Sequence, residues 1–385
     1  MKEERLNMQD IYYIGCYGGD ILKHRKVEDC NLAGTMKMKY IISLLKKMGY
    51  RVIVLSLATD HSTGFHPIEE LRIDDQEIHI YIPYIMIQFA GKSRGQKTGV
   101  FFLEKYLTRK LSSNSIVLSY HSLLYGDMLT KLHRNIRFHW FPQIEEIYCL
   151  SRGELQDPGF LRKEEKMFAE GDGFLFVNDI LPRIYANGKK YAVSYGNYQI
   201  YSESPAINKK HTNLVYTGII NTDRGAFLLL DAMKYLPEKY HLNVLGFGTE
   251  ENIKKFIQKS EELNSFFGDR RITFYGTKTG DEYSKFLIQN HIGISLMDDS
   301  ETISLNAFPS KIMTYLGHSL YVVSSRTKSI SESKVANILY FCENKAESVA
   351  DAILSVPQET NDLAKQKLKE LEAVFLDELR EVIES

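Results

Sequence analysis

The sequence lacks most features that would assign it quickly. Its four cysteines, Cys16, Cys30, Cys149 and Cys342, stand far apart in 385 residues and form no C-x-x-C. So few cysteines in a chain this long, with no paired motif, do not suggest a disulfide framework, and free thiols in a reducing compartment are expected. Excess charge is missing too: 48 Lys and Arg face 49 Asp and Glu, a formal net charge of -1. With basic side chains dispersed and no global field, no nucleic-acid partner is expected. The longest apolar run, Ile78 to Ala90, is interrupted by His79, Pro83 and Gln88 and is too short to span a bilayer. Lys92, Arg94 and Lys97 follow it. Three readings of that run stay open: a buried strand leading into a loop, a membrane-surface contact, and an acceptor-binding loop. Met1-Lys2-Glu3-Glu4-Arg5 leads into no apolar signal segment. A cytoplasmic location is expected, with room for peripheral attachment at the inner face of the cell membrane.

Familiar motifs are also scarce. Gly15-Cys16-Tyr17-Gly18-Gly19 is glycine-rich but is not the G-x-G-x-x-G dinucleotide fingerprint. Asp298-Asp299 is only an adjacent pair, and no clustered His/Asp set stands out, so no dedicated metal is expected.

What is present is an α/β rhythm. Ile11–Gly15 reads as a first strand, with glycines that permit close approach of a ligand. Asn31 to Thr35 precedes a helical pattern from Met36 to Met48, stopped at Gly49, and Arg51–Ser56 is the next strand. Short strands are expected at 71–73 and 78–82, a helix at 100–111, and a strand at Ile116–Tyr120 ending beside His121. A histidine there can reach a ligand across a crevice or cap local backbone. Ile136–Phe141 reads as a strand ending near Glu145-Glu146. One of these acids can orient a hydroxyl or act as a base; the alternative is a pair of solvated surface acids. A charged helix at 157–170 and strands at 173–178 and 191–194 complete the first half.

Residues 1–197 make the first expected domain and 198–211, polar and irregular, the linker. A second domain at 212–357 restarts the rhythm more cleanly. Strands are expected at 213–218, 242–246, 271–276, 292–296, 321–324 and 338–341, a parallel doubly wound sheet. Arg224 heads a helix after the first of them and is either a phosphate ligand or a surface arginine. Residues 358–385 form a terminal helical segment whose Leu363, Leu368, Leu371, Phe375 and Leu379 suit packing against a domain. The central stretch is Asn306-Ala307-Phe308-Pro309-Ser310-Lys311-Ile312-Met313-Thr314-Tyr315-Leu316. It reads as a loop feeding a helix between two parallel strands. Unsatisfied N–H groups at the helix start suit an anion, and Lys311 sits beside them.

Taken in order, Tyr216-Thr217-Gly218, Arg224-Gly225, Leu245-Gly246-Phe247-Gly248, Ile272–Gly276 and Phe308–Leu316 resemble a GT-B glycosyltransferase. The likeness is to the retaining family 4 group that builds bacterial capsules and exopolysaccharides. It covers nearly the whole chain. It implies an α/β GT-B fold, two Rossmann-like doubly wound domains facing a central cleft. It also implies transfer of a sugar, with retention, from a nucleoside diphosphate sugar to a hydroxyl of a glycan or lipid-linked acceptor. UDP-sugar is the favoured donor and GDP-sugar the second, with no permanently bound cofactor.

By resemblance, Gly18 and Gly19 cover the donor near its diphosphate, and His121 contacts the transferred sugar. Arg224, Lys278, and the backbone around Phe308, Pro309 and Ser310 reach the diphosphate, with Lys311 beside it. Glu145 or Glu146 lies towards the acceptor. The family's two glutamates fall on Asn306 and Thr314, both neutral, and its usual arginine falls on Ile219. Those departures keep a non-catalytic GT-B subunit, binding a glycan or supporting a partner transferase, as an alternative; a sugar-nucleotide epimerase comes third. A homo-oligomer is also left open.

Overall fold

Runs of consecutive apolar residues make strands that are covered on both faces, and here they assemble into two parallel sheets. A computed structural model describes residues 8–20, 22–24, 26–27, 32–89, 92–93, 95–148, 158–203, 205, 210–221, 225–297 and 305–384. The chain divides into two compact units, Met1–Ser194 with Phe375–Ser385, and Tyr195–Val374.

The strands of the first unit are β1 (Asp10–Gly15), β2 (Arg51–Ser56), β3 (Gly64–His66), β4 (Glu69–Arg72), β5 (Glu77–Tyr81), β6 (Tyr84–Met86), β7 (Gln88–Phe89), β8 (Lys92–Ser93), β9 (Ile116–Tyr120), β10 (His139–Ile144), β11 (Gly173–Phe176) and β12 (Lys190–Val193). The main sheet has the order β12-β11-β10-β9-β1-β2-β5-β4. Its strands are parallel except β4, which runs antiparallel to β5 at the edge. Ile11, Tyr13, Ile14, Val52, Val54 and Leu55 are wholly buried in its centre. The order runs outward from β1 in one direction and from β9 in the other. Their carboxyl ends therefore form a topological switch point, where open α/β sheets bind ligands.

The second unit contains β13 (Thr212–Ile219), β14 (Tyr240–Phe247), β15 (Ile272–Phe274), β16 (Ile292–Ser295), β17 (Tyr321–Ser325) and β18 (Tyr340–Cys342). Their order is β15-β14-β13-β16-β17-β18, all parallel. The switch point lies between β13 and β16. Leu214, Ile292, Ile294 and Val323 form the buried centre of this sheet.

Three local expectations are corrected. The helix expected from Met36 begins at Leu32 and runs to Lys47, so Gly34 and Thr35 occupy its first turn. Ile136 is not in a strand. It ends a helix, Leu123–Ile136, capped by the Ser122 hydroxyl and stopped by Arg137 in the left-handed region at φ 63°. The strand starts only at His139 and carries Pro142 and Gln143 inside it. In the terminal helix, Asp362–Ile383, the residues Leu368, Leu371, Phe375 and Leu379 are buried, but Leu363 is exposed. The Ile78–Ala90 run begins in a buried strand and then folds into short antiparallel pairs. Ala90 and Arg94 lie outside the described residues. Cys342 is buried, which pushes its thiol up to about 12. Among the described residues, no helix is long and apolar enough to cross a membrane.

Candidate functional site

In the first unit the loop after β1 is tied down from several sides. The Gly18 amide donates to Thr35 Oγ1 at 3.2 Å, joining the loop to the start of the Leu32–Lys47 helix. Ser56 Oγ donates to the Tyr17 carbonyl at 2.6 Å, joining it to the end of β2. Gly19 has φ 107°, a conformation that disfavours a side chain, although a Cβ there would meet only open space. Beneath the loop, His79 bonds Asp20 Oδ2 through Nδ1 at 2.7 Å and Glu77 Oε1 through Nε2 at 2.9 Å. Tyr81 also donates to Asp20, and Lys46 to Glu77, both at 2.7 Å. Burial opposes charge on the imidazole, but the two carboxylate partners outweigh it and raise the His79 pKa. Burial opposes charge on Asp20 and Glu77 as well; their hydrogen bonds, His79's first, win and lower both pKa values. The result is a buried imidazole clamped between two carboxylates that favour its protonated form.

His121 follows β9 at the switch point and is buried. Its Nε2 lies 3.3 Å from Glu164 Oε1, and its ring packs 4.6 Å from that of Tyr148. Neither ring nitrogen makes a well-formed hydrogen bond, so the imidazole is enclosed but under-satisfied. Glu145 is firmly engaged. Lys37 Nζ reaches its two carboxylate oxygens at 2.8 and 3.0 Å, and Gln143 Nε2 donates to it at 2.6 Å. Tyr13 in turn donates to Gln143, and Lys37 also donates to the Ser194 carbonyl at 2.7 Å. Burial, and then the Glu145 charge, push the Tyr120 phenol well up. Glu146, next in sequence, is half-buried.

In the second unit the carboxyl end of β13 meets the helix Ser310–Gly317. Lys311 Nζ lies 4.3 Å from the centre of the Tyr216 ring, a cation–π contact. Gly218 has φ 146°, and a Cβ there would stand 3.2 Å from Lys311 Nζ. The ammonium is thus carried to the bare backbone at the switch point. Tyr315 secures the helix to the strand: its hydroxyl accepts from the Thr217 amide at 2.9 Å and lies 3.1 Å from Thr217 Oγ1. Gly293 on β16 makes this possible, since a Cβ there would collide with the Tyr315 ring.

Pro309 is the helix N-cap; Ser310 is exposed. Phe308 is buried with its ring 4.8 Å from that of Tyr195, and Asn306 is buried beside it in sequence. Ser329 Oγ holds the Ala307 carbonyl at 2.6 Å. Thr314 Oγ1 donates back to the Ser310 carbonyl at 3.3 Å. Lys278 lies elsewhere. It follows edge strand β15, two strands from β13, and its Nζ is 4.0 Å from Glu282. Arg224 and Asp298-Asp299 lie outside the described residues. Among the described residues, no group of three or more His, Cys, Asp or Glu is placed to hold a metal ion.

Sequence reasoning missed Lys37, Asp20, His79 and Tyr216 as members of these networks. Lys37 read as one polar position of a helix, and Asp20 and His79 are far apart in sequence. Tyr216 and Tyr315 did stand within the matched segments, which was the available signal.

No protein-family model and no curated protein sequence matches the chain. Solved structures do. A UDP-forming α,α-trehalose-phosphate synthase from Burkholderia vietnamiensis has TM-score 0.66 and 11% identity, covering 97% of both chains. The E. coli trehalose-6-phosphate structure bound with UDP-2-fluoro glucose has TM-score 0.66 and 10% identity, covering 96% of both. The fold is of the GT-B type. Anabaena HepE, in complex with UDP and glucose, has TM-score 0.64 and 12% identity, covering 98% of both chains. At these identities the likeness establishes two Rossmann-like α/β domains of GT-B type and nothing finer.

Proposed function

We propose that this chain is a retaining GT-B glycosyltransferase, close in type to family 4. It moves a sugar from a nucleoside diphosphate sugar to a hydroxyl of a glycan or lipid-linked acceptor in surface-polysaccharide synthesis. The observation that carries the reading is Lys311, held at the β13–β16 switch point over Tyr216 and against the backbone of Gly218. Departure of a nucleoside diphosphate develops negative charge on its terminal phosphate oxygen. An ammonium and helix N–H groups fixed in advance stabilise that charge at little reorganisation cost. The UDP, and the UDP-sugar analogue, named with two of the similar structures support a UDP-sugar as donor.

On the acceptor side, the Lys37–Glu145–Gln143 network is a positioning device. Lys37 and Gln143 already engage the Glu145 carboxylate and fix its direction, which suits orienting a hydroxyl. Glu146 is the better candidate for a base. Arg224 remains a candidate diphosphate ligand, and Lys278 a weaker one because of its place on the sheet edge.

One observation favours a second reading, a non-catalytic GT-B subunit. Asn306 and Thr314 are neutral where the family places glutamates, and Thr314 spends its hydroxyl on the helix backbone. A thermal-shift panel with UDP-, GDP-, TDP- and ADP-sugars, followed by mass spectrometry of acceptor mixtures, separates the two. Donor-dependent stabilisation with transfer supports the enzyme. Folded protein that neither binds donor nor transfers sugar, with a partner chain supplied, refutes it.

A further inference from the structure

An amphipathic corner of the first unit is built from β3, β6 and the helix Gly95–Lys110. Strands β3 and β6 form an antiparallel ribbon in which Phe65 stands opposite Ile85 and His66 opposite Tyr84. Alternation sends the second pair inward, where the His66 and Tyr84 rings stack 4.3 Å apart and are buried. It sends the first pair outward: Phe65 is 62% exposed and Ile85 39%. Ile87, one residue beyond the ribbon, is 48% exposed.

The helix continues this face. Thr98 Oγ1 bonds both the amide and the carbonyl of Ile85 at 2.9 Å, fixing the helix start to the edge of β6. Phe102 meets Phe65 edge to face at 6.3 Å, and Phe101 meets Phe102 at 5.5 Å. Phe101 is itself 55% exposed. Lys97, Phe101, Lys105 and Arg109 recur every four residues and so share one stripe, on which all four are exposed. Lys105 Nζ sits 5.6 Å above the Phe101 ring. The helix has a single acid, Glu104, against four basic residues.

Exposed apolar side chains of this size mark an interaction surface. The type of partner follows from what accompanies them. Aromatic and aliphatic tips interleaved with lysine and arginine match an anionic bilayer surface. The rings and aliphatic groups enter the acyl boundary while the cations meet headgroup phosphates. A nucleic acid would meet the cations but leave Ile85 and Ile87 without a role. We propose that this corner docks the chain onto an anionic lipid surface. The site suits a transferase with a lipid-linked acceptor but does not rest on that reading.

The test is co-sedimentation of the full chain with vesicles of phosphatidylglycerol and phosphatidylcholine, against vesicles of phosphatidylcholine alone, at low and high salt. Binding to the anionic vesicles is expected, with release by salt. Lys97→Gln/Lys105→Gln should weaken partition about fivefold per charge removed, and Phe101→Ser should weaken it at both salt concentrations. Thermal melting and nucleotide-sugar binding should not change. The lysine variant removes no apolar side chain and alters only exposed positions, so it decides the matter if Phe101→Ser folds poorly. Absence of sedimentation with anionic vesicles overturns the proposal, as does sedimentation unchanged by the lysine variant. Self-association in the absence of lipid, abolished by Phe101→Ser, would overturn it in favour of a second copy of the chain. Failure here leaves donor binding intact, whereas failure of the transferase reading leaves vesicle binding intact.

Discussion

Lys311 Nζ stands 4.3 Å from the centre of the Tyr216 ring, although the two residues come from different elements on either side of the β13–β16 switch point. The ring provides an electrostatic seat that holds the ammonium beside the bare backbone of Gly218. Lys311→Met keeps much of the length and the ring contact but removes the charge. If the diphosphate binds here, donor affinity should fall roughly tenfold to a hundredfold, the range of one lost charge-assisted hydrogen bond. Melting without ligand should shift little. Titration of the best donor from the thermal-shift panel is the measurement, and equal affinity would remove Lys311 from the site.

Gly218 offers a steric counterpart. Its φ of 146° is one that side chains rarely adopt, and an added Cβ would press on Lys311 Nζ from 3.2 Å. Gly218→Ala should therefore destabilise the fold by about 1–3 kcal/mol and also weaken donor binding by displacing the ammonium. Urea unfolding and donor titration read the two effects separately. Unfolding indistinguishable from the parent protein would show that the backbone at this point relaxes freely.

How legible this was depended on which interactions set each element. All six strands of the second sheet coincide with short apolar runs because both of its faces are covered, so composition alone marks them. In the first unit, residues 136–141 look equally strand-like, but a cap at Ser122 and the left-handed turn at Arg137 decide the chain direction there. Such backbone geometry leaves only a faint trace in sequence. At the candidate site, Lys311 was visible because it lies inside a contiguous motif. The Asp20–His79–Glu77 clamp was not, since Asp20 meets His79 only when the β1 loop folds over β5. The Lys37–Glu145 pair, 108 residues apart, was hidden for the same reason.

That pair gives a stability prediction. Lys37 and Glu145 side chains are 8% and 18% exposed, so removing one partner strands the other in a poorly solvated place. Lys37→Met should cost about 3–5 kcal/mol. Adding Glu145→Gln should recover part of the loss, because the orphaned charge disappears. A double-mutant cycle measured by urea unfolding gives the coupling. Additive losses would mean that solvent already screens the pair.

The His79 clamp predicts how stability depends on pH. Its imidazole is surrounded by Asp20, Glu77, the Tyr81 hydroxyl that bonds Asp20, the Lys46 ammonium that bonds Glu77, and the edge-packed Tyr17 ring. The folded pKa is raised above the ordinary value of 6.5. The stabilisation from this group is therefore complete below that value and is lost as pH climbs through the raised one. Asp20 and Glu77 are lowered, so theirs is present above the ordinary carboxyl range and is lost as pH falls through their folded values. The clamp thus contributes most in the mildly acidic window between the two. His79→Asn should remove the histidine's share of the decline in unfolding free energy as pH climbs above the ordinary imidazole range. Urea midpoints across a pH series measure it, and the same decline in both proteins would mean that the fold does not favour the protonated imidazole. Because Asp20 directly follows Gly18 and Gly19, the variant should also loosen the β1 loop, visible as faster amide exchange at Gly18 with β9 unaffected.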